Sequence, residues 1–347
     1  MKLEMKTVTL LLLCAALLMG SCTKKTITPA EDPQPAEVGF TATSQDVEVK
    51  SATKATTPLA QHHPDFGVWG LAVHDFNSDY ILWDDNDLTQ VTKPTGSDVY
   101  VPVSPAYWFV GYVYDFIAVA PYTNSGISST SVNSKTLTFA YNLAQKYALK
   151  GTAGLAAKDH YQFDLMAAAD HTDEVTKNKP STQNLIFWHL FAKITINVRF
   201  VDASGAAVTT GTVSQIRLKN VDTDGTYAIA YDDNQTTDLS VAFTNGTNSN
   251  ATLTFDGSPG CVHIVPQTVT GFEMYIDFTL NNVEYKDFKL NLNAAGNPTY
   301  YDYNQNYNWN ITIGPKEDIS FKVTVDPWTS SVIADGDDDD NNDIEII

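Results

Sequence analysis

Along most of this 347-residue chain, apolar and polar positions alternate in short runs with a period of two, the spacing that puts every second side chain on one face of a strand. The first such run starts at Val38 and ends near Val49 ("VGFTATSQDVEV"). Others follow at Phe66–Val73 ("FGVWGLAV"), Tyr80–Trp83, Tyr107–Ala120 ("YWFVGYVYDFIAVA"), Thr136–Tyr141 and Gln162–Ala168. After the polar, unpatterned stretch "DHTDEVTKNKPSTQ" (170–183), the pattern resumes at Leu185–Phe200, Val213–Val221, Tyr227–Tyr231, Ala251–Phe255, Val262–Val265, Phe272–Leu280 and Val283–Leu292. It finishes with Tyr307–Ile313 and Ile319–Val325. No apolar period of 3.6 residues persists, and Gly, Pro, Asn and Asp mark the turns, Asn281-Asn282 among them. Many short strands with tight turns predict an all-β fold of antiparallel sandwiches rather than βαβ units. The polar stretch divides it into two β-sandwich domains in series, over 38–175 and 184–330.

The N-terminus breaks this pattern. Behind Lys2 and Lys6 runs an apolar segment of about a dozen residues, too short for the ~20 that a membrane-spanning helix needs but right for a signal peptide. It ends at Met19-Gly20-Ser21-Cys22, which resembles the bacterial lipobox, in which the cysteine thiol is diacylated and the peptide before it, residues 1–21, is removed. Cys22 is therefore the expected lipid attachment point, and residues 22–37, with three prolines in "TKKTITPAEDPQPAEV", are the expected flexible tether. Several acyl chains, at roughly 0.8 kcal/mol per buried methylene, hold a protein on a membrane.

Cysteine usage agrees with this. Of three cysteines, Cys14 lies in the signal segment and Cys22 at its end, which leaves Cys261 without a disulfide partner. Seventeen Tyr, sixteen Phe and six Trp suit pleated, half-buried surfaces. The net charge is −20, with 41 acidic residues against 21 basic ones, and this excludes the clustered cations that a nucleic-acid partner requires.

Catalytic signatures are missing. There is no glycine-rich phosphate loop and no Gly-x-Ser-x-Gly elbow. His62 and His63 are adjacent and would point to opposite sides of an extended chain, which makes them poor joint metal ligands. His189 alternates with apolar neighbours and reads as a packed or edge-facing strand residue rather than a catalytic base. Asp84-Asp85 is uninformative in so acidic a chain. The stretch Asp75–Asp79 begins like a calcium loop, but Tyr80 stands where glycine is needed. The expectation is a protein that is not an enzyme and needs neither metal nor cofactor.

The stretches "NLIFWHLFAKITINV", "IRLKNV" followed by "GTYAIAY", "HIVPQTVTG" and "YNWNITIG…ISFKVTVDPW" resemble the fimbrillin family, the type V pilus subunits and minor fimbrial components of Gram-negative anaerobes. The lipobox, "YVYDFIAVAPYT" and "YQFDLMAAAD" fit the same layout. The resemblance implies two transthyretin-like sandwiches and an outer-membrane lipoprotein precursor. It also implies partners among other fimbrial subunits and a host or bacterial surface receptor. Stalk subunits of that family lose their first strand to a protease and accept a neighbour's strand in its place. A strand burying about five alternate side chains gains roughly 8–15 kcal/mol before association costs. Cleavage there usually follows arginine, but the only arginines are Arg199 and Arg217, so Lys50 and Lys54 become the candidate processing sites. An uncleaved anchor or minor component is the other outcome.

A different class, a surface glycan-binding lipoprotein, would use exposed aromatics such as Trp83 or Trp108. Residues 331–347 form an acidic tail, with seven acids in the eleven residues of "DGDDDDNNDIE". Like charges keep that run solvated, but Ile344 and Ile346 share one face of an extended strand and make a candidate donor tip.

Overall fold

The computed structural model describes residues 36–47, 54–59, 63, 65–74, 79–83, 87–122, 127–133, 135–143, 164–176, 182–232, 239–247, 251–258, 260–269, 271–290, 292, 296–315 and 319–327. The strands begin with β1 (Gly39–Val47), β2 (Lys54–Pro58), β3 (Asp65–Val73), β4 (Tyr80–Ile81), β5 (Thr89–Thr92), β6 (Val101–Pro102), β7 (Val113–Ala120) and β8 (Ile127–Asn133). They continue with β9 (Thr136–Asn142), β10 (Met166–His171), β11 (Thr182–His189), β12 (Ala192–Phe200), β13 (Gly211–Val221), β14 (Asp224–Tyr231), β15 (Leu239–Asn245) and β16 (Ala251–Asp256). The last are β17 (Cys261–Ile264), β18 (Gln267–Thr268), β19 (Glu273–Leu280), β20 (Val283–Leu290), β21 (Tyr300–Tyr301), β22 (Gln305–Ile313) and β23 (Ile319–Pro327). The all-β expectation holds.

Two sequence runs expected as single strands are broken. In Tyr107–Ala120 only Val113–Ala120 is a strand, because Gly111, at φ +88°, turns the chain just before it. Leu185–Phe200 is divided at Leu190-Phe191 between β11 and β12, where the chain passes from one core to another.

β12, β17, β22 and β23 form one four-stranded sheet and β13, β16, β19 and β20 another. Their inner faces share a core that includes Ile194, Ile216, Met274, Ile276, Trp309 and Ile311. Alternation is clean in β19 (iBiBiBiB, where i is half-buried and B buried), as expected where one face meets the core and the other meets water. The two-residue turn between β19 and β20 is Asn281-Asn282, both at positive φ (52° and 63°), the conformation a tight hairpin demands. Gly211 opens β13 against the Phe200 ring, and a Cβ there would fall 2.1 Å from Phe200 Cγ. Gly211→Ala is accordingly expected to destabilise the protein by about 1–3 kcal/mol, because a buried ring must shift to admit the methyl. Urea unfolding measures it.

The largest sheet has the order β2-β1-β11-β10-β7-β3-β5-β6, with β4 paired to β3. Its central strands are buried almost continuously, as in β7 (iBBBBBBB), because both faces are covered. On one face Trp69, Ile117, Val119 and Ala167 pack against Leu137, Phe139, Tyr227 and Ile229 from the sheet β15-β14-β9-β8. The other face curls over its own core of Phe40, Phe66, Phe116 and Phe187. Asp115 ties the layers at one end, with one carboxylate oxygen 2.6 Å from Lys135 Nζ and the other 2.6 Å from His171 Nδ1.

Pairing crosses the polar stretch at 170–183. β10 and β11, on either side of it, are neighbours in one sheet, and β14 pairs antiparallel with β9, Tyr227 opposite Phe139. Two pairs are parallel rather than antiparallel: β1 with β11, and β12 with β22.

Candidate functional site

The first strand has an unusual place. On one side β1 runs parallel to β11, from Gly39 opposite Thr182 to Ser44 opposite Phe187. On the other, its second half pairs with β2, whereas its first half meets the segment around β6. There the Phe40 amide donates to the Tyr100 carbonyl (2.9 Å), the Tyr100 amide donates back to the Phe40 carbonyl (2.8 Å), and the Val38 amide donates to the Ala106 carbonyl (2.8 Å). Because Tyr100 directly precedes β6, the far edge of the large sheet, β1 closes that sheet into a roll. Without β1, the backbone groups of Tyr100, Ala106 and β11 would form two facing open edges.

The side chains follow the period of two. Val38, Phe40, Ala42 and Ser44 point inward and are all buried. Phe40 is completely enclosed, edge-on to Phe116 (5.2 Å between centroids) and to Phe66 (6.0 Å), and Phe66 in turn touches Tyr100 and Phe187. Outward, the Thr41 hydroxyl donates to Asn184 Oδ1 at 3.0 Å. The arrangement is an apolar trough with one deep aromatic pocket, filled by a strand.

Lys54 is the first residue of β2, and its backbone pairs with Val47 at the end of β1. Cys22, Lys50, Ile344 and Ile346 lie outside the described residues, as do His62 and Asp84-Asp85. Trp108 is not an exposed platform: it is 4% exposed and packs edge-on against Tyr114 and Phe116. Trp83 is half-buried, its indole N–H donating to the Ser104 carbonyl at 2.8 Å. The flank Tyr100–Ala106 was not legible as a pairing segment, because Pro102 and Pro105 interrupt its strand pattern.

His189 is buried, as its alternation suggested, but it is also paired. Its Nδ1 lies 2.6 Å from Asp164 Oδ2, and both groups are sealed from water. Burial alone would raise the Asp164 pKa, yet His189, His263 and His63 together hold it below the usual carboxylate value. Cys261 belongs to the same neighbourhood, and its thiol is pushed up to about 12 chiefly by burial, which makes it unreactive. No group of three His, Cys, Asp or Glu among the described residues is arranged to hold a metal ion.

The chain is built of packed β-sheets, its first strand closes the largest of them into a roll, and Asp115 and Asp164 are buried in side-chain pairs. The chain belongs to the fimbrillin-like family, whose model matches residues 53–328. That family is structural and adhesive rather than enzymatic. No curated protein matches. Among solved structures, the chain is similar to a candidate cell adhesion protein from Bacteroides uniformis (18% identity, 84% of this chain and 98% of that one, TM-score 0.51). It is also similar to one from Bacteroides ovatus (14%, 85% and 98%, TM-score 0.54). A fimbrial protein from Bacteroides vulgatus matches at 13% identity over 85% of this chain and 100% of that one, with TM-score 0.54. At these identities the likeness concerns the fold.

Proposed function

We propose that the chain is a subunit of a fimbrium, exported as an outer-membrane lipoprotein through Cys22 and joined to other subunits by strand exchange at the seat of β1. Cleavage after Lys50 or Lys54 would sever β1 from β2 and leave it held by noncovalent contacts alone. An incoming strand then takes its place, and the tail with Ile344 and Ile346 is one source of it. An uncleaved chain would instead stay at the membrane as an anchor or minor component. The observation that carries this reading is the closure of the large sheet by β1: the strand is deeply buried, paired parallel to β11 on one side and bonded to Tyr100 and Ala106 on the other.

Lysine-specific digestion of the purified chain tests it. Cleavage at Lys50 or Lys54 should convert monomer into a ladder of polymers as the N-terminal fragment is released, and removing Asp335–Ile347 should abolish the ladder if the tail is the donor. A chain cut at these sites that releases its fragment and still remains monomeric, alone and with partner subunits, would argue against strand exchange.

A further inference from the structure

Large apolar side chains exposed on the described surface are concentrated: Val101, Val103, Tyr107, Phe109 and Val110 all fall within ten residues. Phe109 (41% exposed) meets Tyr80 (53% exposed) edge-on, with centroids 5.9 Å apart and planes at 89°. Behind it Tyr112 lies 5.8 Å from Phe109, and His74 lies 4.7 Å from Tyr112. Four rings thus form a continuous row where β3 ends and β7 begins.

The row is held from beneath. The buried Tyr114 hydroxyl accepts the Phe109 amide and faces the Tyr107 carbonyl, to which it donates. Burial pushes its pKa up to about 12, so it stays a neutral phenol able to do both. The Gly111 amide donates to the Val175 carbonyl (2.9 Å), and the Val175 amide returns the bond to Tyr112 (2.8 Å). Gly111 adopts φ +88°, and a Cβ there would meet His74 Nε2 at 3.5 Å. Little ordering is left to lose when something binds. The surroundings are acidic: Asp79 adjoins Tyr80, Asp173 and Glu174 precede Val175, Glu37 bridges to Tyr107, and all four are exposed.

We propose that this row of rings is a binding platform for a neutral glycan. An exposed apolar patch marks an interaction surface, and its rim selects the partner. The rim carboxylates, on a chain of net charge −20, repel anionic lipid head groups and sialylated or sulfated sugars. An uncharged sugar meets no such penalty. Its C–H face stacks on the rings, and its hydroxyls donate to the carboxylates and exchange hydrogen bonds with the Tyr80 phenol. The four rings lie outside the β1 seat, and of the rim only Glu37 belongs to the segment that cleavage would remove, so the row of rings itself does not depend on strand exchange.

The test uses the full chain on an array of neutral gluco-, galacto- and manno-oligosaccharides together with sialylated and sulfated counterparts, followed by calorimetric titration of the strongest neutral binder. Saturable binding to a neutral glycan is expected, weakened at least tenfold by Tyr80→Ala and by Phe109→Ala and retained by Phe109→Tyr. Tyr122→Ala, at the opposite end of β7, should change nothing, and Asp79→Asn should narrow the gap between neutral and anionic sugars. Thermal midpoints of the variants should stay at the parent value, since the substituted side chains are exposed. Absence of any neutral binder would overturn the proposal, as would binding that survives both alanine substitutions. Self-association or vesicle binding that Phe109→Ala abolishes, with no glycan bound, would assign the row to protein or lipid and overturn it too.

Discussion

Phe40→Ala is expected to lower the unfolding free energy of the uncleaved chain by about 3–5 kcal/mol, the range for truncating a fully buried aromatic ring. The pocket has little room to collapse, because Phe66 and Phe116 flank Phe40 from two neighbouring strands and Phe66 is itself braced by Tyr100 and Phe187. The cost has a second part specific to this strand. β1 is bonded to Tyr100 and Ala106 through a few amides, and a loosened Phe40 weakens the closure of the roll as a whole. Guanidinium unfolding of the precursor measures the effect, with Ile186→Ala, on the outer side of β11, as a control. A loss below about 1 kcal/mol would mean that Phe40 is not the anchor of the strand. On the proposed strand exchange, cleavage removes residue 40 from the fold, so polymer prepared from the variant should match parent polymer in stability.

Asp164→Ala is expected to cost a similar amount, about 3–5 kcal/mol at neutral pH, because it removes one member of a buried ionic pair and leaves the other without its counter-charge. Here His189 loses its 2.6 Å partner in a site closed to water, and His263 and His63 lose the carboxylate that both act upon. The pH dependence has a definite sign. The folded-state pKa of Asp164 is lowered, so the stability it supplies is fully present above the ordinary carboxylate value of ~3.9 and is lost as pH falls through the lower folded value. The difference between parent and Asp164→Ala should therefore be largest near neutrality and shrink in strong acid. A difference that stays constant from pH 7 down to pH 2 would show that the carboxyl stabilises by packing alone.

Asp164 and His189 illustrate what could be read in advance. The alternation around His189 indicated a packed or edge-facing strand residue, and the structure buries it, since burial on one face is a local property of the pattern. Its partner lies 25 residues away across a strand pair, and no local spacing encodes that. Trp83 and Trp108 show the opposite failure. Large aromatics invite a reading as exposed platforms, but Trp108 packs into the core against Tyr114 and Phe116, whereas its neighbour Phe109 reaches solvent beside Tyr80.

The sequence by itself determined the class of the fold, the positions of most strands, the Asn281-Asn282 hairpin and the family. Each depends on a period of two, a turn conformation or a string of residues, all short-range properties of the chain. Tertiary structure alone decided which strands pair. Thr41 and Asn184 are joined across 143 residues, and Asp224–Tyr231 reaches back to Thr136–Asn142 across the stretch that looked like a divide. A strand pattern states which face is apolar but not which edge is free, so the parallel seat of β1, its closure on Tyr100 and the acidic-rimmed row of rings emerge only when the sheet is rolled and both of its faces are covered.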